Sequence, residues 1–305
     1  AECEKLGISG YLVKPVKQSD LLDAIVMAQG YSTDEALPLI TRYAIEEARR
    51  RLHIMVVEDN VVNQKVAVAM LEKRGHSVVV ASNGREAITA LHKESFDLIL
   101  MDVQMPEMDG FEATRLIRDN EKVHGAHIPI VAMTAHAMKG DRERCLAAGM
   151  DDYISKPIRE AGLFSVIENL ANGSKDKKKA KRHPDSKGVR PIAQDVFDFS
   201  EAMKTVNGDK ELLKEIATLF LESAANDLSK IREGISNKDA CAVEQAAHSL
   251  KGSVANFGAK RAFDAAYRLE KMGREGQLTA AEIAELELEK ELAALKSAMQ
   301  AAMMR

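Results

Sequence analysis

An aspartate stands where an apolar run of the sequence ends. Within the segment Phe96–Met101, the apolar run Leu98–Met101 delivers Asp102 to a segment of turn residues that closes at Gly110. An unbroken apolar run of this length is typical of a strand that is buried on both faces of a parallel sheet. Ligands of such sheets bind beyond the carboxyl ends of the strands, so Asp102 is a candidate for chemistry. The alternative is a carboxylate that only caps the turn through its side chain.

Other polar side chains follow the ends of neighbouring apolar runs. They are Glu58, Asp59, Thr134 and Lys156. Three carboxylates at one edge of a sheet repel each other unless a cation neutralises them, and a hard divalent ion such as Mg²⁺ prefers oxygen ligands. A threonine hydroxyl and a lysine ammonium suit the oxygens of a transferred phosphoryl group. The pattern therefore predicts a magnesium site that holds a phosphoryl group on a carboxylate.

Alternating elements must position these residues. The predicted strands are 54–57, 77–81, 96–101, 128–133 and 152–155, and the predicted helices are 61–74, 84–93, 111–119, 138–148 and 160–170. Five such units predict an α/β fold with a doubly wound, parallel five-stranded sheet. After residue 195 every strong signal is helical, with helices expected at 199–206, 209–235, 239–257, 260–274 and 279–303. Asp209, Asp239 and Thr279 are the expected N-caps, and the short loops predict an antiparallel helical bundle.

Composition restricts the class of protein. Lysine and arginine number 43 against 47 acidic residues, a net charge of −4, which argues against a chain built mainly to hold nucleic acid or an anionic membrane. Three widely separated cysteines indicate neither a disulfide framework nor a zinc site, so a reducing cytoplasm is expected. The sequence contains no signal peptide and no apolar stretch of the roughly 18 residues that a membrane helix needs. We expect no direct contact of this chain with nucleic acid or membrane.

An internal repeat and two polar segments divide the chain. Gly7, Tyr11 and Lys14-Pro15 recur as Gly149, Tyr153 and Lys156-Pro157 at one constant offset, so residues 1–28 are expected to be the tail of a first copy whose other site residues are missing. Residues 29–51 and the basic, apolar-poor residues 171–194 are predicted linkers. The second linker has an expected span on the order of 25–30 Å, enough for the flanking domains to dock.

The first site carries a specific resemblance. Residues 52–170 resemble the receiver domain of response regulators through Glu58-Asp59, Asp102 with Met105-Pro106 and Gly110, Thr134-Ala135, and Tyr153 before Lys156-Pro157. The resemblance implies that Asp102 is the phosphoacceptor and that Asp59, Asp102 and the Gln104 carbonyl bind Mg²⁺, with Glu58 acting through water. It also implies that Thr134 and Lys156 bind phosphoryl oxygens, that Tyr153 and Thr134 switch on phosphorylation, and that the Lys156-Pro157 peptide is cis.

A histidine in the helical region is the second candidate site. One face of a predicted helix carries His248, Lys251, Gly252 and Ala255. On that face a neutral imidazole ringed by small residues can attack a phosphoryl group, and Lys251 can neutralise the incoming charge. The alternative is an ordinary surface histidine. Residues 195–305 resemble a histidine phosphotransfer (HPt) domain through His248-Ser-Leu-Lys251-Gly252, which implies a four-helix bundle with its histidine exposed.

The two domains in this order resemble the C-terminal part of a hybrid sensor histidine kinase. The resemblance implies a phosphorelay in which an upstream kinase phosphorylates Asp102 and His248 passes the group to a downstream response regulator. It also implies a cytoplasmic location at the end of a membrane-anchored sensor. We find no ATP-binding domain in the sequence and expect no autophosphorylation. The alternatives are a phosphorylation-controlled binding switch without onward transfer and, less favoured, a DNA-binding response regulator.

Overall fold

The architecture was obtained from a computed structural model of the chain. The structure describes residues 51–125, 127–134, 139–171 and 195–303, together with isolated positions near the N-terminus. The predicted first receiver tail at 1–28 and the predicted linkers at 29–51 and 171–194 lie almost entirely outside the described residues.

The first domain is a parallel sheet flanked by helices. Its strands are β1 (His53–Val57), β2 (Ser77–Ala81), β3 (Leu98–Asp102), β4 (Ile130–Thr134) and β5 (Asp152–Ser155). Its helices are α1 (Val61–Lys73), α2 (Gly84–Leu91), α3 (Gly110–His124), α4 (Lys139–Ala147) and α5 (Glu160–Ala171). The strand order is β2-β1-β3-β4-β5 with every pair parallel, which confirms the predicted fold class.

Burial explains why the central strands are nearly all apolar. Every residue of β3 and β4 is buried, whereas the edge strands β2 and β5 retain exposed residues. A strand covered by helices on both faces has no solvent side, so its sequence runs apolar instead of alternating. The central strands end in Asp102 and Thr134, which places these polar side chains at the carboxyl edge of the sheet.

The second domain is helical. It consists of a short helix α6 (Phe199–Thr205) and four long helices, α7 (Lys210–Ser236), α8 (Ala240–Ala255), α9 (Lys260–Arg274) and α10 (Ala281–Met303). Buried alanines and leucines line the facing sides of these helices. The close packing of α8 on α9 requires Gly273, where an added Cβ would lie 2.6 Å from the Glu244 nitrogen. The predicted four-helix bundle is confirmed.

Polar caps fix most helix starts, and the structure corrects the predicted start of α10 and the predicted end of α3. Asp209 and Asp239 cap α7 and α8 as expected, by accepting hydrogen bonds from amides of the first turn. Helix α10 begins at Ala281, two residues after Thr279, which lies in a turn. Helix α3 continues past the predicted end at 119 to His124, because Gly125 supplies the left-handed conformation (φ 75°) that closes the helix.

Candidate functional site

The sheet brings the three predicted carboxylates together. Glu58 and Asp59 follow β1, Asp102 ends β3, and these strands are hydrogen-bonded neighbours with Val57 paired to Met101. Carboxylate oxygens of Glu58, Asp59 and Asp102 lie within 4.8 Å of one another. Oxygen donors at this spacing are suited to one small divalent cation.

Lys156 joins the cluster from β5. Its ammonium lies 2.5 Å from Asp102 Oδ2 and 2.6 Å from Glu58 Oε2, and its side chain is 8% exposed. Among the described residues, that Glu58 oxygen has no aligned hydrogen-bond partner although it is buried. One ammonium therefore faces three carboxylates, and the cluster retains a deficit of positive charge.

The pKa values of the carboxylates record this deficit. Burial, together with repulsion from the adjacent Glu58, raises the pKa of Asp59 to about 6. Burial also raises the pKa of Asp102, with Glu58 and Asp59 adding to the effect and Lys156 opposing it. Burial alone would lower the pKa of Lys156, but Asp102 and Glu58 outweigh it and raise the value. A bound cation would relieve the repulsion that raises the carboxylate values. The donor set therefore fits Mg²⁺.

The remaining predicted residues of the receiver surround Asp102. The backbone N–H of Gln104 donates to Asp102 Oδ1 at 3.2 Å. Thr134 is buried at the end of β4 and lines the same cavity as Asp102. Tyr153 is half-buried against the apolar cluster that contains Ile130 and Ala132, with the Arg142 guanidinium 5.9 Å from its ring centroid. The Lys156-Pro157 peptide is cis, as predicted.

His248 is more enclosed than the sequence predicted. It lies on α8 with its side chain 13% exposed, and its Nδ1 is 2.8 Å from Glu270 Oε1 on α9. Because a carboxylate accepts here, we assign the proton to Nδ1 and the lone pair to Nε2. Burial lowers the pKa of His248, with Lys251 and Lys156 contributing, while the hydrogen bond to Glu270 opposes the shift. The imidazole is therefore neutral near pH 7, as nucleophilic attack requires.

Lys251, which was predicted to neutralise the charge of an incoming phosphoryl group, is buried in an ion pair instead. Its side chain is 1% exposed, and its ammonium lies 2.5 Å from Glu270 Oε2. Glu270 is fully buried and also accepts from Arg274 at 2.8 Å. Lys251 faces inward because α9 covers it, and its charge is neutralised by Glu270. Its position fixes Glu270, which in turn orients His248.

The two candidate sites open into one cavity. Asp59, Asp102 and Thr134 line it from the sheet, and Asp227 and His248 line it from the bundle, around a volume of about 1700 Å³. The cavity exists because α1 packs against α7 and α8. Asp102 and His248 thus face a common space in which a phosphoryl group can be held.

Sequence reasoning missed several residues that build the site. Glu270 carries one available signal, since it is an acidic residue on the buried, alanine-rich face of α9. Asn60 and Asn63 on the receiver and Ser249, Ser253 and Asn256 on the bundle form hydrogen bonds between the domains. No periodicity distinguishes these small polar residues from ordinary surface positions.

Two protein-family models match the chain. Residues 54–168 match the response regulator receiver domain, and residues 215–298 match the Hpt domain. Together these matches cover well over half of the sequence. The chain belongs to the receiver and Hpt families of two-component phosphorelay signalling. The predicted resemblances at both sites are confirmed at the level of the domains.

Curated proteins similar to this chain include a histidine-protein kinase and a sensor protein. The chain is 29% identical over 270 residues to the signal transduction histidine-protein kinase BarA of Escherichia coli K12, covering 88% of this chain and 28% of that protein. It is 34% identical over 222 residues to the sensor protein GacS of Pseudomonas syringae, covering 72% of this chain and 24% of that protein. The chain thus spans less than a third of these relatives.

Solved receiver domains are also similar. The chain is 43% identical to the receiver domain of sensor histidine kinase PA1611 from Pseudomonas aeruginosa PAO1, a structure with a magnesium ion coordinated in the active-site cleft. That match covers 41% of this chain and 99% of that one, with a TM-score of 0.37.

Within the described part of the chain, no helix combines the length and apolarity needed to span a bilayer.

Proposed function

We propose that this chain carries out one internal step of a phosphorelay, in which a phosphoryl group moves between Asp102 and His248. The observation that carries the proposal is the common cavity, which is lined by both residues. The transfer requires a nucleophile, which is the unprotonated Nε2 of His248. It also requires a phosphoryl carrier, which is the buried carboxylate of Asp102 that Lys156 contacts.

Each side chain has a defined part in the transfer. The Nε2 lone pair attacks the phosphorus of an Asp102 aspartyl phosphate; a nitrogen–phosphorus bond forms while the phosphorus–oxygen bond to Asp102 breaks, and the electron pair remains on the carboxylate. Lys156 and Thr134 stabilise the phosphoryl oxygens. Glu270 stabilises the positive charge that develops on the His248 ring. The same geometry serves transfer in the reverse direction.

Glu58, Asp59, Asp102 and Gln104 would hold Mg²⁺. The ion would supply positive charge to the phosphoryl oxygens and to the carboxylates that repel one another. Within the chain, the fit rests on carboxylate spacing and on the raised pKa of Asp59. Removal of Mg²⁺ with EDTA should abolish phosphorylation of Asp102.

The partners follow from the two ends of this step. An upstream kinase phosphohistidine is the proposed donor to Asp102, and the receiver of a separate response regulator is the proposed acceptor from His248. We propose a cytoplasmic location at the end of a membrane-anchored sensor kinase, which fractionation of cells that express the full-length protein would test.

The test uses the chain, Mg²⁺ and a phosphorylated kinase core from the same relay. Label should reach His248 only when Asp102 is intact, so D102N should carry no label and H248Q should carry an aspartyl phosphate alone. If H248Q delivers label downstream as fast as the unmodified chain, His248 is not part of the relay, and the binding-switch alternative gains support.

A further inference from the structure

Asn60 has two functions at the junction of the domains. Its carbonyl oxygen Oδ1 caps α1 by accepting from the amides of Val62 at 3.0 Å and Asn63 at 3.2 Å. Its amide nitrogen Nδ2 donates across the domain boundary to the Ser249 carbonyl oxygen at 3.1 Å, Ser249 Oγ at 2.8 Å and Ser253 Oγ at 2.7 Å. One buried side chain therefore starts the first receiver helix and contacts α8 of the bundle.

Asn63 extends the contact toward the carboxylate cluster. Its Nδ2 donates to Glu58 Oε1 at 2.8 Å, and its Oδ1 accepts from Asn256 Nδ2 at 2.8 Å. The approach is close, since a Cβ added at Gly252 would lie 3.2 Å from Asn63 Nδ2. A chain of hydrogen bonds thus runs from Glu58 through Asn63 to the end of α8.

Charged pairs lie on either side of these buried contacts. Lys65 Nζ lies 2.7 Å from Glu215 Oε1, and Arg159 Nη2 lies 3.0 Å from Glu201 Oε2. Of these four side chains, all except that of Glu201 are more than a third exposed. The two pairs therefore contribute little to the affinity between the domains and more to the orientation in which the domains meet. The buried amides and hydroxyls set the register, because a shifted register would leave them without hydrogen-bond partners.

We propose that Asn60 and Asn63 are the docking determinants by which this receiver recognises the HPt domain of its own chain. Their contacts with Ser249, Ser253 and Asn256 hold α8 in the register that turns His248 toward the cavity of Asp102. The docking contact is independent of the chemistry, whereas its role in positioning His248 rests on the proposed function.

The Lys65–Glu215 pair provides a direct assay of docking. A water-soluble carbodiimide joins an amine to a carboxylate only when the two are in contact, and both side chains are accessible to the reagent. Peptide mass spectrometry quantifies this cross-link relative to the Lys260–Asp264 pair within α9, which serves as an internal standard. An equimolar mixture of ¹⁴N- and ¹⁵N-labelled chains at low concentration should give cross-links only within one isotope. Mixed-isotope cross-links at half of the total would show docking between copies and overturn the proposal.

The key variant is N60S, with N83S as its matched control. Serine caps a helix about as well as asparagine but is too short to reach α8. Asn83 caps α2 through the Glu86 amide, so N83S makes the same change at a cap without removing an interdomain contact. N60S should weaken the docking equilibrium about tenfold, and N60S combined with N256S about a hundredfold. Thermal unfolding verifies that each variant remains folded.

Failure of the docking proposal and failure of the proposed phosphotransfer give different results. A cross-link that survives undiminished in the double variant, or that falls equally in N83S, overturns the role of the asparagines. If the cross-link responds as expected but label never reaches His248 from Asp102, the docking determinants stand and the proposed transfer fails.

Discussion

Replacement of Glu270 by glutamine should damage both the stability of the bundle and its chemistry. Burial alone would raise the pKa of Glu270, yet hydrogen bonds from His248 and Lys251 lower it from 4.5 to about 2. A difference of this size corresponds to about 3 kcal/mol in favour of the ionised form. Glutamine removes that charge and leaves the Lys251 ammonium buried without a counter-ion, which costs about 3–5 kcal/mol.

Urea unfolding and phosphotransfer measure the two effects of E270Q. The midpoint for the bundle should fall by about 2 M, given a loss of about 4 kcal/mol and a slope of about 2 kcal/mol per M. Transfer to His248 should slow about 10- to 100-fold, because the imidazole loses the carboxylate that fixes its tautomer. The matched control is E291Q, since Glu291 is a buried carboxylate that pairs with Arg261 at 2.6 Å. E291Q should lose stability with unchanged transfer. If E270Q unfolds at the unmodified midpoint and transfers normally, the assigned network is wrong.

Three further predictions follow from the same contacts. The lowered pKa of His248 keeps the folded imidazole neutral, so its contribution to stability is full above about pH 6.5 and is lost as the pH falls toward the pKa of the folded state. H248Q should flatten this part of the curve of stability against pH, and an unchanged curve would contradict the lowered pKa. G252A should stabilise the bundle by up to about 1 kcal/mol through helix propensity, yet slow transfer because its Cβ would crowd Asn63 at 3.2 Å, as paired melting and transfer assays would reveal. Without Mg²⁺, D102N should melt at a higher temperature than the unmodified chain, because one of the repelling carboxylates is gone. Mg²⁺ at about 100 times its Kd should stabilise the unmodified chain by about 2.7 kcal/mol. Equal stabilisation of D102N and the unmodified chain by Mg²⁺ would count against a metal site that includes Asp102.

The receiver site was predictable because each of its residues follows a local signal. An apolar run that ends in a turn fixes where Asp102 lies along its strand, and parallel pairing then brings the ends of β1, β3 and β4 to one edge. Boundaries were less predictable where a single glycine decides them. The predicted end of α3 at 119 was too early, because Gly125 is the position that closes the helix.

The HPt environment was only partly predictable, because it depends on which helix faces meet. The helical spacing placed His248, Lys251 and Gly252 on one face, and in the structure the Asn63 side chain closely approaches Gly252. That spacing could not show that α9 covers Lys251 with Glu270. Tertiary packing alone decides whether a lysine on a helix is buried in an ion pair or free to meet a ligand.

The most direct test of the account follows one phosphoryl group within one chain. The unmodified chain is labelled on Asp102 with radioactive acetyl phosphate and Mg²⁺, the donor is removed, and the stability of the label in acid and alkali is followed with time. The account predicts that alkali-labile aspartyl phosphate converts to acid-labile, alkali-stable phosphohistidine at a rate independent of dilution, and that H248Q shows no conversion. Label that stays on Asp102 until it hydrolyses, or that converts equally in H248Q, would contradict the transfer.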